Sequence, residues 1–287
     1  MSRAAKGAGL VDRRQVGHGE HRIELLAVEW DRDALAVARE LFERTHGELG
    51  DLCVPIDAKV QANDLSALTP YDLPGPFDLI TLGLSLNELF NDGGTVRSRA
   101  RFLERLRERL ADDGSVVVIE PALREVSRTL QQTRTLLEER GLPVFSPCTH
   151  GGACPLLVRD RDWCHQESPE ALPAPQAALA KAAGLRWERL TWAQLILRRD
   201  TERIDEGAYR IVGGPIASKG RTEWHACGPT GLHRLAHLDR HRQPDDAFST
   251  LRRGDRVTLD PLPAPDKQVR TDRSVVTVVD AERAEHG

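Results

Sequence analysis

The chain has 287 residues, 40% hydrophobic and 29% charged, the balance of a folded globular protein rather than a disordered one. No apolar run approaches the roughly 18 residues of a membrane helix, and the basic start MSRAAKGAGLVDRR lacks the apolar core of a secretory signal, so no membrane partner is expected. A formal net charge of −4 excludes a whole-molecule attraction for nucleic acid; DNA is not an expected partner, and any RNA contact must be local.

The first readable element is IELLAVE (Ile23–Glu29), an apolar run too short for a helix and typical of a buried parallel strand. Asp31 can cap a helix over Ala34–Thr45, which places Leu35, Ala38, Leu41 and Phe42 on one face and Gly47 at its end. A strand is predicted at Lys59–Ala62, ending at Asn63-Asp64, and a loop over Pro70–Pro76. FDLITLGL (Phe77–Leu84) is the strongest buried-strand signal. Arg97–Leu110 reads as an amphipathic helix, Asp113-Gly114 as a turn, SVVVIE (Ser115–Glu120) as a β-branched strand and Val126–Arg140 as a further helix. Strand and helix alternate as in a doubly wound parallel sheet, which is the expected α/β fold class.

After Gly141 the rhythm breaks. Residues 143–175 are rich in Pro, Gly, Cys and His; a helix over Pro175–Ala183 and a strand over Trp187–Leu197 then restore the pattern. Beyond Arg198 the chain reads as β-rich, with strands at Tyr209–Val212, Glu223–Cys227, Leu232–Leu238, Arg256–Leu259 and Ser274–Val279, compatible with a small barrel or an extended meander. The expected organisation is an α/β domain over 1–142, a Cys-rich insertion over 143–175, completion of the sheet over 176–200 and a β-rich region over 201–287 that carries the last cysteine.

Five cysteines in a chain without a secretory signal argue for metal or redox chemistry rather than a disulfide framework. Cys53 stands alone. Cys148, Cys154 and Cys164 follow one another as C-x5-C-x9-C, and Cys227 follows after a gap of 62 residues. Pro147, Gly151, Gly152 and Pro155 let the backbone turn tightly around a bulky inorganic core, and loops bring thiolates to a cluster from several directions. Zinc is the competitor, with His150 or His165 able to replace one cysteine, although the short C-x2–4-C pairs of structural zinc sites are missing. The bland alternative is that the thiols are small buried hydrophobes.

PCTHGGACPL (Pro147–Leu156), DWCH (Asp162–His165), HACGPTG (His225–Gly231), LSLNEL (Leu84–Leu89) and VVVIEPA (Val116–Ala122) resemble the family of methyltransferase-like mitoribosomal small-subunit assembly factors and their bacterial relatives, over about Ile23 to Asp255. The resemblance implies a [4Fe–4S] cluster on Cys148, Cys154, Cys164 and Cys227. It also implies a sheet of the S-adenosylmethionine-dependent methyltransferase type. On such a sheet Glu29, at a strand end, stands where an acid takes the ribose hydroxyls, and Asp64 where one contacts the adenine amine. The expected Gly-rich donor loop D-x-G-x-G-x-G is not matched: only Lys6-Gly7-Ala8-Gly9 stands there, so the first strand reads as absent or degenerate, through a truncated start or a real loss of donor binding. Neither an N/D-P-P-Y/F motif after LSL nor a cysteine after IEP is present, and no catalytic residue is assigned.

Two readings follow from this. One is a small-subunit assembly protein that binds ribosomal RNA through Arg210, Lys219, Arg221, Arg234, Arg240 and Arg242, mainly at phosphates. The alternative is an active S-adenosylmethionine-dependent rRNA methyltransferase with a structural metal site. The excess of Arg over Lys points to a bacterial cytoplasmic protein; a eukaryotic chain of this type is expected in the mitochondrial matrix.

Overall fold

The computed structural model describes residues 23–29, 31–49, 56–62, 73, 75–90, 96–168, 170–185, 189–200, 202–242, 248, 251–264, 268–271 and 275–279. The chain divides into two compact units, Met1–Leu68 and Thr69–Gly287. Among the described residues no helix is long and apolar enough to cross a membrane.

In the first unit, β1 (Ile23–Glu29) and β2 (Ile56–Ala62) pair in parallel from Ile23↔Ile56 to Glu29↔Ala62, joined by α1 (Arg32–Leu49). Asp31 starts the helix as its sequence position suggests. Its Oδ1 accepts hydrogen bonds from the backbone N–H of Asp33 at 2.8 Å and of Ala34 at 3.3 Å, satisfying two first-turn donors. Gly47 does not end α1, which runs on to Leu49.

The second unit begins with β3 (Phe77–Gly83), α2 (Val96–Arg107) and β4 (Leu110–Pro121). β3 and β4 pair in parallel with a register shift between Phe77 and Leu79, so that residues 111–114 are accommodated inside β4 instead of forming the predicted turn. Gly114 permits this: a Cβ there would lie 2.6 Å from the Phe77 carbonyl oxygen. Next come α3 (Arg124–Glu139), the Cys-rich loop, β5 (Gln166–Glu167), α4 (Ala174–Ala182) and β6 (Thr191–Arg198). Apolar residues recur along α2 at Ala100, Phe102, Leu103 and Leu106 and meet α3 through Leu130 and Leu137, over the buried Val116 and Val118 of β4.

The remaining strands are β7 (Tyr209–Ile211), β8 (Ile216–Ser218), β9 (Arg221–Gly228), β10 (Gly231–Leu238), β11 (Arg256–Asp260), β12 (Gln268–Arg270) and β13 (Val275–Val279). They form one sheet in the order β12-β10-β9-β7-β11-β13, with β8 on β9. This sheet curls into a half-barrel around Tyr209, Ile211, Trp224, Leu235, Val257 and Leu259.

The doubly wound parallel sheet expected from the sequence is not what forms. β4–β6, β5–β6 and nearly all of the seven-stranded sheet pair antiparallel; the parallel pairs are β1–β2, β3–β4 and the short β10–β12. Only four α-helices occur among the described residues, too few to cover such a sheet on both faces. The physical reason lies in the strands themselves. Runs such as SVVVIE and LILR bury well beside a neighbour of either direction, and direction is set by the connections, which sequence periodicity does not encode.

Candidate metal centre

One face of α3 organises the Cys-rich loop. Arg128, Gln131, Arg134, Thr135 and Glu138 recur at helical spacing, and each bonds to backbone or to a partner beyond the helix. Arg128 donates to the carbonyl oxygens of Arg159 at 2.8 Å and Asp162 at 2.7 Å. Gln131 donates to the Cys164 carbonyl at 3.2 Å, and Arg134 to the carbonyls of His150 and Gly152. Thr135 Oγ1 accepts from the Cys154 N–H at 3.2 Å. Glu138 accepts from the Val144 N–H at 2.9 Å and takes both arms of Arg203 at 2.8 and 2.9 Å. A loop with no periodicity is thus fixed through its backbone polar groups, which must be satisfied once buried.

Cys148, Cys154, Cys164 and Cys227 all line one cavity of this unit. Three come from the loop; Cys227 comes from β9, where it stands opposite Arg210 of β7. Cys154 and Cys227 also pack with Leu156 and Val212. Burial holds the Cys148 thiol above its ordinary range, and the nearby Cys164 adds to this. Burial, then the neighbouring Cys148 and Cys164, pushes Cys154 up to about 12. Cys227 is raised strongly by burial and by all three other cysteines. Burial thus favours the protonated thiols, and a bound cation would favour the thiolates.

The surroundings are cationic. Arg210 is 5% exposed and donates a hydrogen bond to Cys164 Sγ at 3.2 Å and another to Gln166 Oε1. Among the described residues it has no carboxylate within ion-pair distance, whereas Arg134 and Arg203 share Glu138 and Arg253 faces Glu167. His150 lies with Nε2 3.5 Å from Cys227 Sγ and Nδ1 donating to the Gly151 carbonyl at 2.7 Å. His165 is held down to about 4 by burial and by the charges of Arg253 and Arg210. Among the described residues no three His, Cys, Asp or Glu side chains stand close enough together to hold a single metal ion.

Of the other site residues expected from the sequence, some fall among the described residues and some do not. Glu29 ends β1, where its Oε1 accepts from the Asp31 N–H at 3.3 Å beside the start of α1. Asp64, the Lys6–Gly9 segment and Cys53 lie outside the described residues. Arg210, expected at an RNA surface, is buried against Cys164 instead. Lys219, Arg221, Arg234, Arg240 and Arg242 do lie on or beside the β9–β10 hairpin. Asp239 N–H donates to the Gly220 carbonyl at 3.0 Å and draws the Lys219 turn toward Arg240 and Arg242.

A polar cavity unnoticed in the sequence opens between Leu86, Asn87, Arg99, Glu120 and Thr129. Glu120 is 1% exposed; its Oε1 accepts from the Leu86 N–H at 2.8 Å, while Oε2 and Asn87 Oδ1 are buried without a partner among the described residues. Burial raises the Glu120 carboxyl above its usual range. The signal was there: a carboxylate closing an otherwise β-branched strand.

A sequence model of the family described as mitochondrial small ribosomal subunit Rsm22 matches residues 4–255. No curated protein matches the chain.

Proposed function

Since the chain belongs to the mitochondrial small ribosomal subunit Rsm22 family, we propose that it is a small-ribosomal-subunit assembly protein that binds ribosomal RNA and carries a [4Fe–4S] cluster on Cys148, Cys154, Cys164 and Cys227. The observation that supports the cluster is the meeting of four thiols around one cavity beside Arg210, a buried cation with no carboxylate partner among the described residues. A buried charge is retained only where an opposite charge or strong hydrogen bonds compensate it. A four-thiolate iron–sulfur centre is anionic and answers that need.

Against zinc stands the lack of the short C-x2–4-C pairs on which structural zinc sites usually draw; a cluster takes thiolates from loops and distant segments. When bound, the cluster supplies four iron–thiolate bonds between the 148–164 loop and β9. The chain's own residues do the rest: α3 holds the loop, Arg210 neutralises charge, and Leu156, Leu157 and Leu232 pack around Cys154 and Cys227.

RNA contact is assigned to Lys219, Arg221, Arg234, Arg240 and Arg242, whose charges are partly offset by Glu223 and Asp239. Such residues bind phosphates without reading bases. The family's description favours the mitochondrial matrix over a bacterial cytoplasm as the location.

Anaerobic purification followed by iron and sulfide assay tests the centre, with a broad absorption band near roughly 400 nm expected. Stoichiometric zinc without sulfide would remove the cluster. Sedimentation with small-subunit precursors tests the partner; a chain that stays at the top of the gradient would remove the assembly role.

A further inference from the structure

We infer that Arg210 makes the four-cysteine centre a one-electron redox site rather than an inert staple; this rests on the cluster reading above. Hydrogen bonds to cluster sulfurs and nearby positive charge favour the more negative, reduced form, because the added electron is stabilised by donors already in place. Arg210 supplies both. It donates to Cys164 Sγ at 3.2 Å, it stands opposite Cys227 on the neighbouring strand, and it is 5% exposed, so water screens it little.

The balance of charges singles this residue out. Arg134 and Arg203 lie near Cys148, yet both are held by Glu138. Arg253 lies near Cys164 and faces Glu167 at 3.6 Å. Arg210 alone of the four has no acidic partner among the described residues, and its second arm ends on the neutral Gln166. A buried cation without an acidic partner is costly to desolvate, so its charge is left to act on the cysteine centre and on any electron added there.

The step is an electron transfer only. With a cluster held there, one electron from a low-potential carrier of the flavin or iron–sulfur class would be taken up with no bond or proton moved, and Arg210 would stabilise the added charge. Gln166 fixes the guanidinium so that its N–H stays aimed at Cys164 in both states.

The test is a redox titration of the anaerobically prepared full chain with dithionite, followed by absorption and electron paramagnetic resonance, alongside iron and sulfide assays. Wild-type protein is expected to take up one electron per cluster reversibly. Arg210→Gln is expected to shift the oxidised-to-reduced ratio at a fixed potential at least tenfold toward the oxidised form, 59 mV for one electron. An unchanged midpoint in Arg210→Gln with full iron and sulfide overturns the inference and leaves the cluster reading standing. Wild-type protein without sulfide overturns both. If Arg210→Gln does not load, Gln166→Leu decides: a lowered midpoint with full iron and sulfide supports the guanidinium held on Cys164, and an unchanged one overturns it.

Discussion

Arg210 of β7 donates a hydrogen bond to Cys164 Sγ at 3.2 Å and stands opposite Cys227 in the β7–β9 register, so one residue neighbours both a loop cysteine and the sheet cysteine. Removing a thiol should therefore undo a shared centre, not a local contact. Cys227→Ser is expected to lower bound iron and sulfide at least tenfold, whereas Cys53→Ser leaves both unchanged. Metal and sulfide assays on the purified variants check this; retention of full iron in Cys227→Ser counts against four-cysteine ligation.

Much of this centre was legible in the sequence because cysteine, glycine and proline carry their chemistry wherever they sit. C-x5-C-x9-C among Gly and Pro already singled out the three loop cysteines that line the cavity with Cys227. Arg210 was misread for a physical reason: charge is visible in a sequence and burial is not, and in the Tyr209–Ile211 strand the flanking residues are buried on every side. Strand positions were also largely legible, as at Phe77–Gly83 and Gly231–Leu238. Strand direction was not. β4 takes β3 in parallel and β6 antiparallel through the same β-branched residues, so the pattern that located it could not orient its neighbours.

Arg128 ties α3 to the loop through the carbonyls of Arg159 and Asp162, with its side chain 16% exposed. Replacing it with Met keeps much of the volume and strands those acceptors, at a cost of about 1–3 kcal/mol. The loop between Cys154 and Cys164 is then less ordered, and the cluster is lost faster to an iron chelator. The decay rate of absorption near roughly 400 nm measures it; a rate equal to wild type contradicts a holding role for Arg128.

Gly228, next to Cys227, lies against the ring of Tyr209 so closely that a Cβ there would collide with ring carbons. The Tyr209 hydroxyl is tied to Thr230 at 2.7 Å, and the ring is fully buried, so it cannot swing aside. Gly228→Ala is expected to destabilise the second unit by about 1–3 kcal/mol and to displace Cys227. Urea unfolding with iron assay checks both effects together. Unchanged stability would mean that the sheet yields at this point.

Glu120 gives a pH dependence of definite sign. Burial raises its carboxyl in the folded chain, although the Leu86 and Asn87 N–H groups oppose this. A raised folded value means that folding favours the protonated form. The contribution is fully present below the unfolded value of about 4.3 and is lost as pH rises through the folded one. Glu120→Gln keeps an acceptor for the Leu86 N–H and removes the ionisation. It should raise stability at pH 7–8 by on the order of 1 kcal/mol and flatten the decline above pH of about 4.3. Glu138 opposes it: burial acts upward there, but Arg203 and the Val144 N–H outweigh it and hold the group low, so its stabilisation fades in acid. Thermal unfolding of wild type and Glu120→Gln across pH tests the sign, and a parallel pair of curves refutes it.

RNA contact predicts a salt signature. Arg240 and Arg242 follow β10, and Asp239 offsets Arg242 at 3.6 Å; both arginines stay exposed. Each phosphate neutralised contributes about 0.9 to the slope of log affinity against log salt on a duplex and about 0.7 on a single strand. Arg240→Gln with Arg242→Gln should therefore weaken binding to small-subunit RNA and reduce the slope by roughly 1–2, uniformly across sequences, because phosphate contacts carry no base information. Since neither side chain touches the cysteines' cavity, iron and sulfide content should remain at wild-type level. A double variant with full affinity and an unchanged slope would move the RNA-binding face elsewhere on the molecule.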